Sequence, residues 1–307
     1  MTIVHFGRKF LIEMWKNLPQ VAICATMSAG KSTLINALLG KNFVASSNYA
    51  CTAKITSLLN FPTGENFIGG YPTDNGKIIE TVVTANDLKL WNADAKIKKI
   101  YLVGGLQNIE CPLVIHDTPG TNNSISAEHA FITEKFFQNY SVDLIIFIIN
   151  AQNNNTNDEA QMLKFLKATL ADSEIIFVIN KIDALDFERE NIQDFIDCNR
   201  QYLINFGFES PKIFPISAEA ALLFRMLTTQ QNFTEHEKLR LKILYDYLLD
   251  ENFQLPTNLN FALDTNADTI IFDKQSYNLS DLQKAIYKTG ICDLEEFINK
   301  KFWRSVK

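Results

Sequence analysis

What this chain has little of removes several classes of protein at once. Positive charge is not in excess: 29 Lys and Arg stand against 35 Asp and Glu, a net charge of −6 over 307 residues. Bulk attraction to nucleic acid, which needs a basic surface, is therefore not expected. Cysteine is sparse and ill-spaced. Cys24, Cys51, Cys111, Cys198 and Cys292 are odd in number, far apart and never in C-x-x-C, so neither a disulfide framework nor a zinc site is indicated. The four histidines, His5, His116, His129 and His236, show no ligand spacing. No apolar run approaches the roughly 18 residues of a membrane-spanning helix. Residues 1–9 carry no signal-peptide pattern, and no internal repeat or long linker is evident. These absences predict a cytoplasmic protein with reduced thiols.

What is present is a stretch that reads strand, loop, helix. An apolar run at residues 21–24 leads into A-T-M-S-A-G-K-S at 25–32, and this opens into T-L-I-N-A-L-L-G. The pattern is G-x-x-x-x-G-K-[ST] with Ala25 in place of the first glycine. Successive backbone N–H groups at the positive end of a helix form an anion-binding nest. Gly30 lets the backbone approach phosphate without a Cβ in the way. Lys31 can reach β and γ phosphates, and the Ser32 hydroxyl can hold Mg²⁺. The phosphate-contacting set is Ser28, Ala29, Gly30, Lys31, Ser32 and Thr33.

Ahead of that loop, residues 5–18 have the apolar stripe of an amphipathic helix, stopped by Pro19. Behind it, a polar stretch runs to Thr52, just before a strand at 54–61. That position suits an Mg²⁺ ligand on a switch segment. Residues 66–71 and 77–84 alternate as a hairpin, a short helix opens at Asn86, and a strand follows at 99–106. The interval between Thr52 and Asp117 is longer than a minimal nucleotide switch domain requires, which predicts an enlarged sheet.

A second strand, 112–116, ends in D-T-P-G at 117–120. Asp117 would hold Mg²⁺ through water, and the Gly120 N–H could meet a γ-phosphate. A loop held by that contact is released when the phosphate leaves. His116 reads as a packed neighbour. The next residue is Thr121, so the water-orienting glutamine of small GTPases is missing. After a helix at 127–140 comes the most apolar strand, 142–149, as a central parallel strand requires. A helix at 158–170 and a strand at 174–179 lead to N-K-I-D at 180–183. An Asp183 carboxylate can accept from N1–H and the 2-amino group of guanine together, a pattern adenine does not offer. Asn180 belongs to the same element, and Lys181 can lie along the base. Ser217 and Ala218, after a strand at 212–215, complete a base-binding loop. Helices follow at 218–227 and 234–250. Residues 251–280 are polar with one apolar patch at 270–272, and a last helical region, 282–302, breaks near Gly290. Strand and helix alternate throughout, which predicts an α/β fold with a mostly parallel sheet covered by helices on both faces.

On these residues the chain resembles the dynamin-like large GTPases, the bacterial ones in particular. The carriers are the loop at 25–40, C-T-A-K-I-T at 51–56, D-T-P-G, N-K-I-D, the enlarged sheet, and T-G-I-C-D-L-E at 289–295. The resemblance implies a P-loop GTPase that uses Mg²⁺, with hydrolysis stimulated by dimerisation across the nucleotide and coupled to assembly or membrane remodelling. By the same likeness Ser28 would place a charge-compensating monovalent cation, K⁺ or Na⁺, and the attacking water. Lys31 would hold phosphate, and Ser32, Thr52 and Asp117 would serve the metal. Ala25 and Met27 depart from the usual loop.

The resemblance divides the chain into an N-terminal neck helix at 1–19, a G domain at 20–230 and a C-terminal helical extension at 231–307. That extension is short for a stalk and tip, so an excised GTPase domain is expected, with a reduced family member as the alternative. The basic and aromatic end, 300–307, reads as a solvated tail or a peripheral membrane contact. Two other functions fit less of the pattern. An Era-type GTPase of ribosome assembly or tRNA modification would share D-T-P-G and N-K-I-D but would carry a basic RNA-binding module. A GTP-binding scaffold with little hydrolysis would account for Ala25, Met27 and Thr121.

Overall fold

Apolar alternation in the sequence becomes a sheet with two different greasy faces. The computed structural model describes residues 15–44, 54–61, 66–73, 78–120, 127–170, 173–186, 189–250, 253, 255 and 268–303. In order these form β1 (Gln20–Ala25), α1 (Lys31–Leu39), β2 (Ile55–Asn60), β3 (Phe67–Pro72), β4 (Ile78–Val83), α2 (Ala85–Ala93), β5 (Lys99–Gly104) and β6 (Leu113–Asp117). Then come α3 (Ala127–Asn139), β7 (Leu144–Asn150), α4 (Asn157–Thr169), β8 (Glu174–Asn180), α5 (Ile192–Asn205), β9 (Lys212–Ile216) and α6 (Ala218–Thr228). The chain closes with α7 (Glu235–Leu249), β10 (Thr269–Phe272), β11 (Gln275–Asn278), α8 (Leu279–Lys288) and α9 (Ile291–Phe302).

Nine strands make one sheet in the order β4-β3-β5-β2-β6-β1-β7-β8-β9. The β6-β1-β7-β8-β9 run is parallel. Antiparallel pairing enters where β2 meets β6 and in the β3–β4 hairpin, which extends the sheet on the far side of β2 and β5. The enlarged sheet expected between Thr52 and Asp117 is this β3-β4-β5 extension.

Side chains of β7 alternate between two cores. Leu144, Ile146 and Ile148 join Val21, Ile23, Leu34, Leu38 and the α9 residues Ile291, Leu294 and Ile298 on one face. Ile145, Phe147 and Ile149 face α3, α4 and the α6–α8 helices through Phe137, Leu163, Phe224, Leu244 and Leu282. A strand covered on both sides has no reason to alternate polar with apolar, which is why this segment is apolar throughout.

Two elements were not anticipated. Helix α5 fills the interval after N-K-I-D; Asn191 caps it by accepting from the N–H groups of Gln193 and Asp194. Its core face runs through Phe195, Ile196, Tyr202 and Leu203, a helical spacing that is present in the sequence. The patch at 270–272 is a strand of the β10–β11 hairpin. Its turn residues, Asp273 and Lys274, both take positive φ, 48° and 63°. That is the geometry of a two-residue turn usually signalled by Asn-Gly or Asp-Gly. Of the helix expected at 5–18, only residues 15–18 lie within the described part. Residues 15–17 are helical, and Trp15 and Leu18 pack on Leu59, Val103 and Val114.

Candidate functional site

The predicted site residues gather at the carboxyl ends of β1, β6, β8 and β9, the edge where parallel α/β sheets hold ligands. Ala25 ends β1 and is buried in the core, pairing with Ile148 of β7. It serves the strand rather than the phosphate-facing part of the loop. Thr26, Met27, Ser28 and Ala29 turn the chain. Ser28 has φ 61° and is exposed at the tip, with Met27 half exposed beside it. Gly30 has φ 90°, and a Cβ built on it would run into the Asn180 side-chain amide. No other residue fits there without displacing Asn180. Helix α1 starts at Lys31 without a side-chain cap, so its first N–H groups face the loop as donors. Lys31, Ser32 and Thr33 form its first turn.

Asp117 ends β6, and its Oδ1 accepts from Lys31 Nζ. The strand that delivers it is anchored by neighbours. Thr118 is fully buried, and its hydroxyl and N–H both donate to the Ile23 carbonyl, at 3.0 and 3.3 Å. Thr133 of α3 donates to Pro119 O at 3.1 Å. Gly120 lies against the phosphate loop: a Cβ there would be 3.7 Å from Ala25 O. His116 is the packed neighbour expected. Its Nε2 donates to Gln20 Oε1 at 2.8 Å, because the Gln20 amide nitrogen is committed to Trp15 O and Leu18 O. Its Nδ1 accepts from Ser57 Oγ at 2.9 Å. Burial, helped by Lys99, pushes its pKa down to about 4. The neutral ring links β1 and β2 through these two hydrogen bonds.

Asn180 ends β8 and is itself buried. Its amide nitrogen donates to Ala29 O at 2.9 Å, and its Oδ1 accepts from Ala218 N at 3.0 Å. One side chain thus couples the phosphate loop to the base loop. Lys181, at φ 66°, turns the chain into a short 3₁₀ turn carrying Asp183. Asp183 Oδ1 accepts from Ser217 Oγ at 2.5 Å. Ser217 also caps α6 by accepting from Ala220 N, and Ala218 begins the helix. Burial raises the Asp183 pKa, opposed by the Ser217 hydroxyl and by Arg240, while Glu219 adds to the rise.

Thr52 falls outside the described residues, as does Thr121. The two ends of the segment containing Thr52 are held. At the leading end, Asn36 Oδ1 accepts from Phe43 N and Val44 N at 3.0 and 2.8 Å, and Asn36 Nδ2 donates to Val44 O. At the trailing end, Lys54 is buried and its Nζ donates to the carbonyls of Trp91, Asn92 and Asp94 at the C-terminus of α2. A cation at that end of a helix is favourably placed.

Three contacts that sequence reasoning missed hold the base loop from the C-terminal side. Arg240 Nη2 donates to Asp183 Oδ2 at 3.3 Å, and Tyr247 Oη donates to Leu185 O at 2.7 Å. Ser217 N donates to Thr289 O at 2.9 Å, just before Gly290, whose φ of 77° and close approach to Pro215 O leave no room for a Cβ. Arg240 and Tyr247 lie in no motif, and T-G-I-C-D-L-E at 289–295 includes Thr289 without indicating its partner, because each contact is made to a residue distant in sequence.

No group of three His, Cys, Asp or Glu residues able to hold a metal ion occurs among the described residues. The oxygen donors at the mouth, the Ser32 hydroxyl and the Asp117 carboxylate, are of the kind Mg²⁺ takes together with phosphate oxygens. The same residues suit no thiolate- or imidazole-bound metal.

With this geometry in place, the likenesses to known proteins are informative. Residues 21–182 match the profile of the dynamin family. A probable chloroplastic transmembrane GTPase, FZO-like, from Arabidopsis thaliana is 26% identical over 210 residues, covering 68% of this chain and 20% of that protein. Dynamin-like protein 1 of Campylobacter jejuni is 24% identical over 230 residues, covering 62% of this chain and 31% of that protein. The chain therefore spans less than a third of either relative. Among solved structures, a chain of an oligomerised bacterial dynamin pair, described as sensing and tethering membranes over long range, superposes with a TM-score of 0.54. It is 20% identical, and the superposition covers 78% of this chain and 39% of that one, which speaks for the fold. Among the described residues no helix is long and apolar enough to cross a membrane.

Proposed function

The chain belongs to the dynamin family, and from that premise we propose that it binds and hydrolyses GTP and that its nucleotide cycle is coupled to assembly at a membrane periphery. The observation that carries the reading is the Asn180 amide bonded to both Ala29 O and Ala218 N. It joins a phosphate nest and a guanine-reading carboxylate into one mouth, spaced by the side chain itself.

In this reading the N–H groups from Ser28 to Thr33 cradle the phosphates, and Lys31 neutralises the β–γ bridge from its place beside Asp117. Ser32, Asp117 and Thr52 would hold Mg²⁺, which supplies charge neutralisation on the phosphates when bound. Gly120 N–H reports the γ-phosphate. Asp183 accepts from the guanine edge, Lys181 lies along the base, and Ser217 and Ala218 support it. With threonine rather than glutamine at 121, water positioning falls to Ser28, whose αL backbone and exposed place at the loop tip suit a site for K⁺ or Na⁺ completed by a second copy of the domain. Two G domains facing each other across the nucleotide would bring those tips together. The flanking segments, 1–19 and 231–307, would then pass nucleotide state to whatever the domain is joined to.

The test is specific GTPase activity measured against protein concentration, with K⁺, Na⁺ or neither present. Activity that rises with concentration and depends on one of the ions supports the reading. Flat, slow turnover in every salt would overturn hydrolysis by dimerisation and leave a GTP-binding scaffold. Salt-sensitive RNA binding with concentration-independent turnover would favour an Era-type role. Lys31→Ala should abolish nucleotide binding; tight GTP binding retained in that variant would refute the site.

A further inference from the structure

The base-reading carboxylate does not stand alone. Asp183 is nearly out of solvent, and each of its oxygens already has a partner: Ser217 Oγ on Oδ1 at 2.5 Å and Arg240 Nη2 on Oδ2 at 3.3 Å. Arg240 sits 57 residues further along the chain, on α7, which no guanine motif includes. Its guanidinium is itself held by Glu219, which accepts from Nε at 3.1 Å and from Nη2 at 2.6 Å. A planar fork fixed in two places has little freedom left to wander from Asp183.

We propose that Arg240 is a positioning residue for base recognition: from α7 it holds the Asp183 carboxylate in the orientation and charge state that guanine requires. This rests on the reading of Asp183 as the guanine acceptor. An ionised carboxylate offers about four lone-pair sites. Ser217 occupies one on Oδ1 and Arg240 one on Oδ2, the residue's own backbone N–H also favours the ionised form, and the N1–H and 2-amino donors would share the remaining capacity. A protonated carboxyl could not accept both. The charged and titratable groups around Asp183 are few: Lys181 on its own turn, Glu219 from α6 and Arg240 from α7, with the Ser217 hydroxyl between them. Burial works against ionisation, as does Glu219, while Ser217 and Arg240 work for it. Arg240 therefore has a double task. It counters burial at Asp183, and it shields that carboxylate from Glu219 by binding both.

The signs of three substitutions follow. Arg240→Gln removes the cation and leaves Asp183 beside an unpaired Glu219, so guanine affinity is lost at a higher pH than in the parent protein. Glu219→Gln removes the opposing anion and frees Arg240 for Asp183, so the loss moves to lower pH. Asp183→Asn is the control for the underlying reading, because an amide presents a donor to the 2-oxo group of xanthine and repels the guanine 2-amino group.

The experiment is equilibrium binding of fluorescent GDP and XDP to the full chain between pH 5 and 8, each variant expressed as a ratio to the parent protein at the same pH. Titration of the phosphates is common to all and cancels. Arg240→Gln is expected to weaken GDP relative to the parent progressively as pH falls, toward a limit of about tenfold for each unit by which the acceptor's pKa rises, and by much less at pH 8. Glu219→Gln should bind GDP at least as tightly as the parent at pH 5.5. A ratio for Arg240→Gln that does not change with pH, or the same direction of change in both variants, overturns the proposal while leaving guanine recognition intact. If Asp183→Asn fails to exchange GDP for XDP preference, the guanine reading itself falls and the Arg240 role with it. Should Arg240→Gln not fold, Arg240→Lys replaces it: loss of the two-point fork with the charge kept should weaken GDP across the pH range, and affinity equal to the parent's at every pH would overturn the positioning role.

Discussion

Arg225 and Glu295 meet in two parallel hydrogen bonds of 2.7 Å, with both side chains almost wholly out of solvent. The pair links α6 to α9, and Arg225 Nη1 also donates to the Ala37 carbonyl near the end of α1 at 2.7 Å. Asn108 donates to Glu295 Oε2 at 3.1 Å, so both carboxylate oxygens have partners. The helix that begins at the phosphate loop is thus bolted at its far end to the last helix of the described chain.

Removing one partner should be costly. Glu295→Ala strands a buried guanidinium and is expected to destabilise the chain by about 3–5 kcal/mol. The double variant Arg225→Met, Glu295→Leu should lose less than either single change, because no buried charge is left unpaired. Urea unfolding of the three variants measures this; a double variant worse than both singles would mean the pair contributes more than it costs to bury.

Gly30 is the second point of leverage. Gly30→Ala places a methyl group against the Asn180 amide at a φ of 90°. A strained backbone of this kind costs about 1–3 kcal/mol, and relieving it requires Asn180 to release Ala29 or Ala218. The expected outcome is a lowered melting temperature together with loss of nucleotide binding. Wild-type affinity in Gly30→Ala would show that Asn180 does not set the spacing of the two loops.

Lys54 should separate binding from turnover. Lys54→Met keeps the buried stem but withdraws the donor from Trp91, Asn92 and Asp94. The helix end loses its cation, at a cost of about 1–3 kcal/mol for the unsatisfied carbonyls. Because Lys54 lies two residues after Thr52, GTP turnover should fall several-fold while GDP affinity stays within about twofold, given that Thr52 is read as a ligand of the triphosphate state. Steady-state kinetics beside GDP binding checks it. Equal losses in both would place the role of Lys54 in folding alone.

Glu159 carries a pH signature. It is 1% exposed at the start of α4. Burial raises its pKa, opposed by the Asn155 N–H and the Tyr202 hydroxyl. A carboxyl with a raised folded-state pKa binds its proton more readily when folded. Its stabilising contribution is therefore complete below the ordinary glutamate pKa and is lost as pH rises through the raised value. Glu159→Gln keeps the Oε1 acceptor for Asn155 and removes the titration. The variant should be more stable than the parent at pH 7, with the gap closing as pH falls toward about 4. Melting temperatures across that range decide; a gap that widens on acidification would contradict the sign.

The architecture was legible where residues act on close neighbours. G-K-S after an apolar strand placed the phosphate loop, and β7 announced itself as central through six apolar residues in succession. D-T-P-G and N-K-I-D fell at strand ends where the sheet turns them toward one edge. Helix α5 was legible through Phe195, Ile196, Tyr202 and Leu203 at helical spacing but not read, whereas the Asp-Lys turn of the β10–β11 hairpin carries a weak local signal.

Spacing along the chain by itself determined the order of A-T-M-S-A-G-K-S, D-T-P-G and N-K-I-D and their places after apolar strands, which is what their reading as phosphate loop, switch aspartate and guanine element rests on. Only the tertiary structure decided how they are held. Asn180 reaches Ala29 across 151 residues, Arg225 reaches Glu295 across 70, and Arg240 reaches Asp183 across 57. Each contact depends on which side chains the packed sheet and helices bring face to face. Backbone periodicity sets the face a residue presents, while the partner on that face is chosen by packing that no local pattern encodes.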